Sequence, residues 1–348
     1  MLHAYPPASV VILNYNNGAF LSKCLSSVFS ADYPNLEVIL VDNGSIDGSI
    51  NQVKRDFGNE SRLKIVQNPR NLGASAGRNI GSKHASGKYL AFLDSDTEVD
   101  RNWLREAVSQ MERNPSIATV QCKLVLLSDP RKIDYIGDFI SQFGFLVQRA
   151  PLGAYDGDIS RETAQIFGVK SAGMVSNRHI LEKIGLFDED YFIYMEETDL
   201  CWRVWLNGSQ VVYSPASIVY HDFGRMSKLL SQRAKFLSKY HGTKNYVTTI
   251  LKNADGINLL KIVPIHIMLW FGIVIWHFGR GRTQEGIWIS RGIIYNVKNL
   301  RSTWRKRLIV QRRVRTIPDK AILPRVMVKI SPTYLYRKAT HEGSGWKL

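Results

Sequence analysis

Residues 89–98 read YLAFLDSDTE. Tyr89, Leu90, Ala91, Phe92 and Leu93 form a short apolar run of the kind that makes a strand buried on both faces. Asp94, Ser95 and Asp96 follow directly, so two carboxylates stand one residue apart where a core strand reaches the surface. Like charges held that close raise each other's proton affinity unless a cation shares them. A hard divalent ion, Mg²⁺ or Mn²⁺, accepts such oxygens and keeps part of its shell for phosphate groups. The other reading is an acidic turn capping a helix that starts near Asp100, with Asp96 or Thr97 nearby. The rest of the chain decides between them.

Upstream, ASVVIL at residues 8–13, LEVILV at 36–41 and LKIV at 63–66 read as further buried strands, and Leu21, Leu25 and Val28 share one helical face. Uniformly apolar strands alternating with helices predict an α/β fold with a mostly parallel sheet covered on both faces. Ligands of such sheets gather beyond the carboxyl ends of the strands. Those ends carry Asn14, Asp42, Asn71 and Asp94. Asp42 can accept hydrogen bonds from a base or ribose, or serve its own Asn-Gly-Ser loop as an Asx-turn. Gly73-Ala-Ser-Ala-Gly opens a helix with small residues, which allow close packing and leave N–H groups for a diphosphate. Arg78 and Asn79 would support that group, although Arg78 could equally hold the acidic loop. His84 falls on the polar face of this helix and reads as solvated.

With 348 residues and 45% apolar content, the chain can bury a large core, as one domain with an appendage or as two domains. Cys24, Cys122 and Cys201 are far apart and have no metal-ligand spacing, which fits a reducing cytosol. The first residues lack the pattern of a secretory signal. The net charge is +16, and residues 280–348 hold most of it, with 17 Lys and Arg against 3 Asp and Glu. A near-neutral body with a basic end predicts an anionic surface as partner.

Four pieces resemble the family 2 glycosyltransferases, whose catalytic domain has the GT-A fold. They are VVILNYNN at 10–17, VDNGSIDGS at 41–49, NPRNLGASAGRN at 68–79 and LDSDTE at 93–98, in the family's order. The resemblance runs over residues 9–224 and implies a nucleotide-diphosphate sugar donor. Asp42 would contact its nucleoside, with Asn14, Asn71, Gly73, Arg78 and Asp94 around the donor. Asp94-Ser95-Asp96 would be the DXD motif, with Asp96 the direct metal ligand and Asp94 on the nucleotide-sugar side as well as the metal.

Further on, residues 117–127 read as a strand, and 133–148 alternate loosely around Gly137 and Gly144 as strands or a loop over the site. FGVKSAGMVS at 167–176 reads as a strand whose Ser171, Ala172 and Gly173 let a sugar ring approach, and 178–184 as a short helix. MEETDLCWR at 195–203 puts Glu196, Glu197 and Asp199 in the first turn of a helix with Leu200, Val204 and Trp205 inward. Acidic residues favour a first turn, but three in four positions exceed a cap, and crowding raises the proton affinity of one of them, as a general base needs. The resemblance implies that this motif deprotonates the acceptor hydroxyl. Glu197 matches the base best, one residue from the alternative Glu196. Glu196 and Asp199 would position the acceptor or the motif itself, with Arg203 paired to one of them. Residues 211–220 read as a strand ending at His221-Asp222-Phe223-Gly224. A lone His there is structural or, as the resemblance implies, a third metal ligand, and we take the second reading. Trp202, Trp205, Tyr191, Phe192 and Tyr194 read as core rather than site, with Phe192 and Tyr194 the two candidates among them for acceptor-stacking surfaces.

Past residue 224 the chain turns basic and helical through Lys228, Arg233, Lys235 and Lys239. IVPIHIMLWFGIVIWHF at 262–278 is short for a span, which needs about 20 residues. Basic flanks (Lys252 and Lys261, then Arg280, Arg282 and Arg291) favour keeping both ends on the cytoplasmic side. A re-entrant or in-plane helix is therefore expected, with Trp270, Trp276 and Trp288 at the interface. Residues 291–315 read as one basic amphipathic helix on anionic lipid. Nucleic acid is disfavoured as partner, because no recognition module accompanies the charge. The expected organisation is a catalytic domain over 1–224, a membrane-associating helical region over 225–330 and a flexible tail over 331–348.

The expectation is a metal-dependent, inverting glycosyltransferase of the hexosyl type, nearest the rhamnosyltransferase-like members. It would use Mg²⁺ or Mn²⁺ at the cytoplasmic face of the cell membrane, on a lipid-linked or cell-envelope glycan acceptor of polysaccharide biosynthesis. A nucleotidyltransferase would need a Gly-rich loop with basic residues after residues 8–13, which is missing. An inactive membrane-bound scaffold should have lost some of the acidic residues, and all are present.

Overall fold

The four apolar runs form the strands Ala8–Asn14 (β1), Leu36–Asp42 (β2), Leu63–Gln67 (β3) and Tyr89–Asp94 (β4). Helices Gly18–Phe29 (α1), Ser49–Phe57 (α2) and Ala74–His84 (α3) connect them, and the strands lie parallel in the order β3-β2-β1-β4. This is a computed structural model, which describes residues 5–159, 161–222 and 232–335. Alternate side chains serve two cores. Val11, Ile39, Leu90 and Phe92 join one, and Val10, Ile12, Val38, Leu40, Ala91 and Leu93 the other. The inner strands β1 and β4 and most of β2 are buried on both faces, which is why their runs are largely apolar without polar alternation, whereas β3 at the sheet edge exposes Lys64 and Gln67. Helix α3 lies so close to the sheet that a Cβ on Gly81 would come within 2.3 Å of Val11 Cγ1. Asn14 pairs in register with Asp42, and Leu13 with Asp94, so three polar strand ends share one edge.

Beyond β4 come Thr97–Val99 (β5), Trp103–Arg113 (α4), Ile117–Leu126 (β6), Asp129–Tyr135 (β7), Asp138–Ser141 (β8), Leu146–Gln148 (β9) and Ala164–Gln165 (β10). Met174–Asn177 (β11), Arg178–Ile184 (α5), Glu196–Leu206 (α6) and Gln210–His221 (β12) follow. The main sheet runs β10-β12-β6-β11-β4-β1-β2-β3, with β11 antiparallel to both β4 and β6. The strand expected over 167–176 is confined to its end. Lys170 N donates to Gln121 Oε1 at 2.7 Å and Ser171 N to Glu197 Oε1 at 3.2 Å, so side chains take the donors a ladder would need.

The C-terminal part comprises Gln232–Asn253 (α7), Gly256–Gly279 (α8), Thr283–Lys298 (α9), Leu300–Ile309 (α10), Asp319–Val326 (α11) and Met327–Val328 (β13). β13 pairs with β8, and Val310, Val314, Ile322 and Val326 share a core with Trp202, Trp205 and Leu206 of α6. Helix α8 starts earlier than the apolar run because the Asp255 carboxylate accepts from Asn258 N at 2.8 Å and caps it. Its 24 residues are long and apolar enough to cross a membrane, by length and composition. Ile262, His266, Trp270, Val274 and His277 form a buried stripe, whereas Ile257, Leu260, Ile265, Met268, Phe271, Ile275 and Phe278 are exposed.

Two expectations for this part are corrected. Trp270 is fully buried and donates to His266 Nε2 at 2.9 Å, so it is no interfacial anchor. Residues 291–315 are not one surface helix: the chain breaks at Asn299, and buried Arg307 donates to the carbonyls of Leu251 and Ala254 at the end of α7. Phe223, Gly224, Lys228, the boundary at 224 and the loose end over 336–348 lie outside the described residues.

Candidate active site

Helix α3 delivers Arg78 between β4 and α6. Its guanidinium donates to Asp94 Oδ1 at 3.0 Å and to Glu196 Oε1 at 2.7 Å, and lies 3.7 Å from Glu197 Oε1. Burial opposes its charge, but Asp94, Glu197 and Glu196 outweigh burial and raise its pKa above the usual arginine value. Of the two roles open in the sequence, Arg78 thus has the second: it ties the acidic loops together instead of facing a diphosphate.

Asp94, Asp96 and His221 bring one ligand atom each within 4.8 Å of one another, a set that could hold a divalent ion. Strand β5 pairs with β12 and sets Thr97 opposite His221, which brings the turn after β4 to the end of β12. His221 Nδ1 meets Asp134 Oδ2 at 2.8 Å, and Nε2 lies 3.6 Å from Asp96 Oδ1. A carboxylate behind a ligating histidine fixes its tautomer and directs Nε2 at the ion. The site therefore fits a divalent metal ion. Burial would lower the His221 pKa, but the hydrogen bonds to Asp134 and Asp96 push it up to about 10, so an ion bound at Nε2 would have to displace a proton. Asp134 escaped the sequence reading. Its signal was a single carboxylate inside the apolar stretch Ile133-Asp-Tyr-Ile.

Glu196 is buried, and burial together with the neighbouring Glu197 charge pushes its pKa up to about 8 against the pull of Arg78. Glu197 keeps 15% of its side chain exposed, and its Oε1 accepts from Ser171 N at 3.2 Å and Ser171 Oγ at 2.7 Å. Ser171, read as a small residue for a sugar to approach, is instead a hydrogen-bond partner that fixes the Glu197 carboxylate. Asp199 is the clearest correction to the candidate set. It is fully buried and bonded to Arg203 (2.9 Å), Lys252 (3.0 Å) and Asn253 (2.7 Å), so it secures α6 to α7 and has no surface open to solvent.

The donor side differs from expectation in detail. Asn14 is fully buried and donates to Asp42 Oδ1 at 3.2 Å and to the hydroxyls of Ser45 and Ser49 at 3.1 Å. Asp42 also accepts from Ser45 N at 3.3 Å, the turn its loop sequence allows. Asn71 accepts from Gly73 N at 2.8 Å and Asn43 Nδ2 at 3.0 Å. These residues brace the loops at the sheet edge. Gly73 adopts φ +88, and the N–H groups that follow it are not left for a diphosphate. Ala74 N and Ser75 N donate to the Phe192 carbonyl at 2.6 and 3.3 Å. Phe192 itself is exposed and stacks on His241 at 5.3 Å.

The family described as Glycosyl transferase family group 2 matches residues 89–281, more than half of the chain, and Glycosyl transferase family 2 matches residues 9–146. The chain belongs to the family 2 glycosyltransferases. An uncharacterised glycosyltransferase of Haemophilus influenzae is 34% identical over 142 residues, covering 38% of this chain and 56% of that protein. The chain spans 36% to 56% of the length of the curated relatives it matches. GalNAc-T7, solved with UDP, GalNAc and Mn²⁺, superposes with a TM-score of 0.57 at 19% identity, over 72% of this chain and 48% of that one. The Pyrobaculum calidifontis mannosyltransferase PcManGT, solved with GDP-Man and Mn²⁺, gives 0.54 at 17% identity, over 84% and 87%. This family member therefore has the GT-A fold, with the mostly parallel sheet expected.

Proposed function

We propose that the protein is an inverting, metal-dependent hexosyltransferase. It moves a sugar from a nucleotide-diphosphate donor to a hydroxyl of a lipid-linked or cell-envelope glycan at the cytoplasmic face of a membrane. The observation that carries this reading is the convergence of Asp94, Asp96 and His221 with Glu197, through Arg78, at one sheet edge. The ions and nucleotides in the solved relatives, Mn²⁺ with UDP or GDP-Man, support the donor class.

Asp94, Asp96 and His221 would hold Mg²⁺ or Mn²⁺, which when bound neutralises charge developing on the leaving diphosphate. Asp134 keeps His221 oriented for that task. Glu197, directed by Ser171, takes the proton of the acceptor hydroxyl as its oxygen attacks the anomeric carbon opposite the diphosphate. Glu196 is tied to Arg78 and supplies no nucleophile, so one displacement with inversion suffices, unlike the two-step retaining route. The exposed apolar face of α8, with Lys261, Arg280 and Arg291 nearby in the chain, supports docking in the plane of an anionic membrane.

The test is NDP release from a panel of UDP- and GDP-sugars with Mn²⁺, for wild type, Asp96→Ala and Glu197→Gln. Each variant should lose about 10²–10⁴-fold in kcat. Undiminished turnover in both would sink the mechanism, and a product of retained anomeric configuration would remove the single displacement.

A further inference from the structure

We infer that Asn245, on α7 and outside the catalytic sheet, is a positioning residue that holds the backbone leading into Glu196 and Glu197 in a conformation it would not keep alone. The inference rests on the reading of Glu197 as the general base.

The backbone ahead of α6 is unusual. Phe192 has φ 65 and ψ −60, and Ile193 N donates to the Tyr191 carbonyl at 2.8 Å, which makes a γ-turn of the rare, strained hand. Tyr194 and Met195 follow with φ 69 and 68, in the left-handed region. None of the three is glycine, so each carries a Cβ in a disfavoured conformation. Such a run persists only when its surroundings over-determine it.

Asn245 supplies that restraint. It is fully buried, and its Nδ2 donates to the carbonyls of Tyr191 (3.1 Å), Ile193 (2.9 Å) and Tyr194 (2.7 Å). Three carbonyls around one amide leave no doubt which end faces them, because only the NH₂ can donate. Its neighbour Lys244 donates to the Asp190 carbonyl at 2.5 Å, and the Tyr191 hydroxyl bonds to Thr249 at 2.8 Å. Helix α7 is itself fastened on both sides of Asn245 by Asn296 of α9, which donates to the Lys244 carbonyl at 3.0 Å and accepts from Thr248 Oγ1 at 2.8 Å.

The geometry sets what this hold does. The turn aims the Phe192 carbonyl at the start of α3, the helix that carries Arg78. The left-handed Met195 starts α6, which presents Glu196 and Glu197 to Arg78 and Ser171. Without the amide, the run relaxes toward ordinary backbone and the two glutamates leave their partners, while the metal cluster on β4 and β12 stays intact.

The experiment compares full-length wild type, Asn245→Ala and the double variant Asn245→Ala/Met195→Gly. Readouts are hydrogen exchange over residues 191–199, Mn²⁺ affinity by calorimetry, and turnover of the sugar nucleotide found in the panel above. In Asn245→Ala, exchange should rise at least tenfold and kcat fall at least tenfold, with donor KM and Mn²⁺ affinity within threefold. The double variant should regain at least threefold in kcat, because glycine adopts the left-handed conformation without penalty. Should Asn245→Ala fail to fold, Asn245→Ser, which keeps one donor, replaces it with a smaller loss expected. Wild-type exchange in the variant overturns the inference, as does a loss of Mn²⁺ binding in step with kcat. If the wild type turns over no sugar nucleotide, the functional reading fails and the exchange arm still decides the role of Asn245.

Discussion

Glu196 and Glu197 are neighbours in sequence with opposite surroundings, because consecutive helical residues point about 100° apart. Glu196 turns into the protein against Arg78, and Glu197 turns toward Ser171 with part of its surface open. These partners support Glu197 over Glu196 as the base proposed above. Burial holds Glu196 up at about 8, above the 4.5 of a free glutamate, so the folded state binds the extra proton between those values. The stability it contributes is full at low pH and is lost as pH rises through about 8. Thermal unfolding of the wild type should therefore show a decline over that window which Glu196→Gln flattens, while its turnover stays within about fivefold of wild type. A slope unchanged in Glu196→Gln would assign the effect to another group.

At the scale of elements, α8 has two unlike faces. The stripe of Ile262, His266, Trp270 and Val274 is buried, and the opposite stripe is apolar and exposed. Exposed positions tolerate substitution within about 0.5 kcal/mol, so Leu260→Asp, Phe271→Asp and Ile275→Asp should leave the melting temperature nearly unchanged. If the outer face docks on lipid, the triple variant should lose at least tenfold in cosedimentation with phosphatidylserine vesicles. Equal sedimentation of wild type and variant would remove α8 as the membrane contact. Both faces of this helix are apolar in sequence, so only packing separates the buried one from the exposed one.

Across the whole molecule, the C-terminal helices and residues 188–199 are bound by charge as well as by a shared core. Lys252 lies 2.6 Å from Asp188 and 3.0 Å from Asp199, and Lys306 reaches Asp188 and Asp190. Burial opposes ionisation of Asp188, but Lys252 and Lys306 overcome it and hold its pKa below the usual 3.8; Lys252 and Arg203 do the same for Asp199. For depressed carboxylates the stability is present above the free value and is lost as pH falls below it. Acid titration from about pH 5 downward should loosen the C-terminal helices from residues 188–199, seen as faster hydrogen exchange in both. Lys306→Met should weaken the acid dependence, and an identical profile in that variant would place the acid-sensitive contact elsewhere.

The residues themselves determined the strands, their common polar edge and the helix that carries the acidic trio. These features are local: apolar runs of strand length, small residues at a helix start and carboxylates spaced along the chain. Tertiary structure decided how each polar group is used. Asp199 left the candidate site for Lys252 and Arg203, and the N–H groups after Gly73 went to the Phe192 carbonyl. Asp134 gained His221, and Asn245 took hold of the turn before Glu196. Apart from Arg203, which lies one helical turn from Asp199 and was expected to pair in this motif, those partners lie tens of residues away in the chain, and periodicity carries no information about which donor meets which acceptor across such distances. For Asp94 and Asp96 the sequence supplied the carboxylates and their strand end; only the return of β12 with His221 made them a set that could hold a divalent ion.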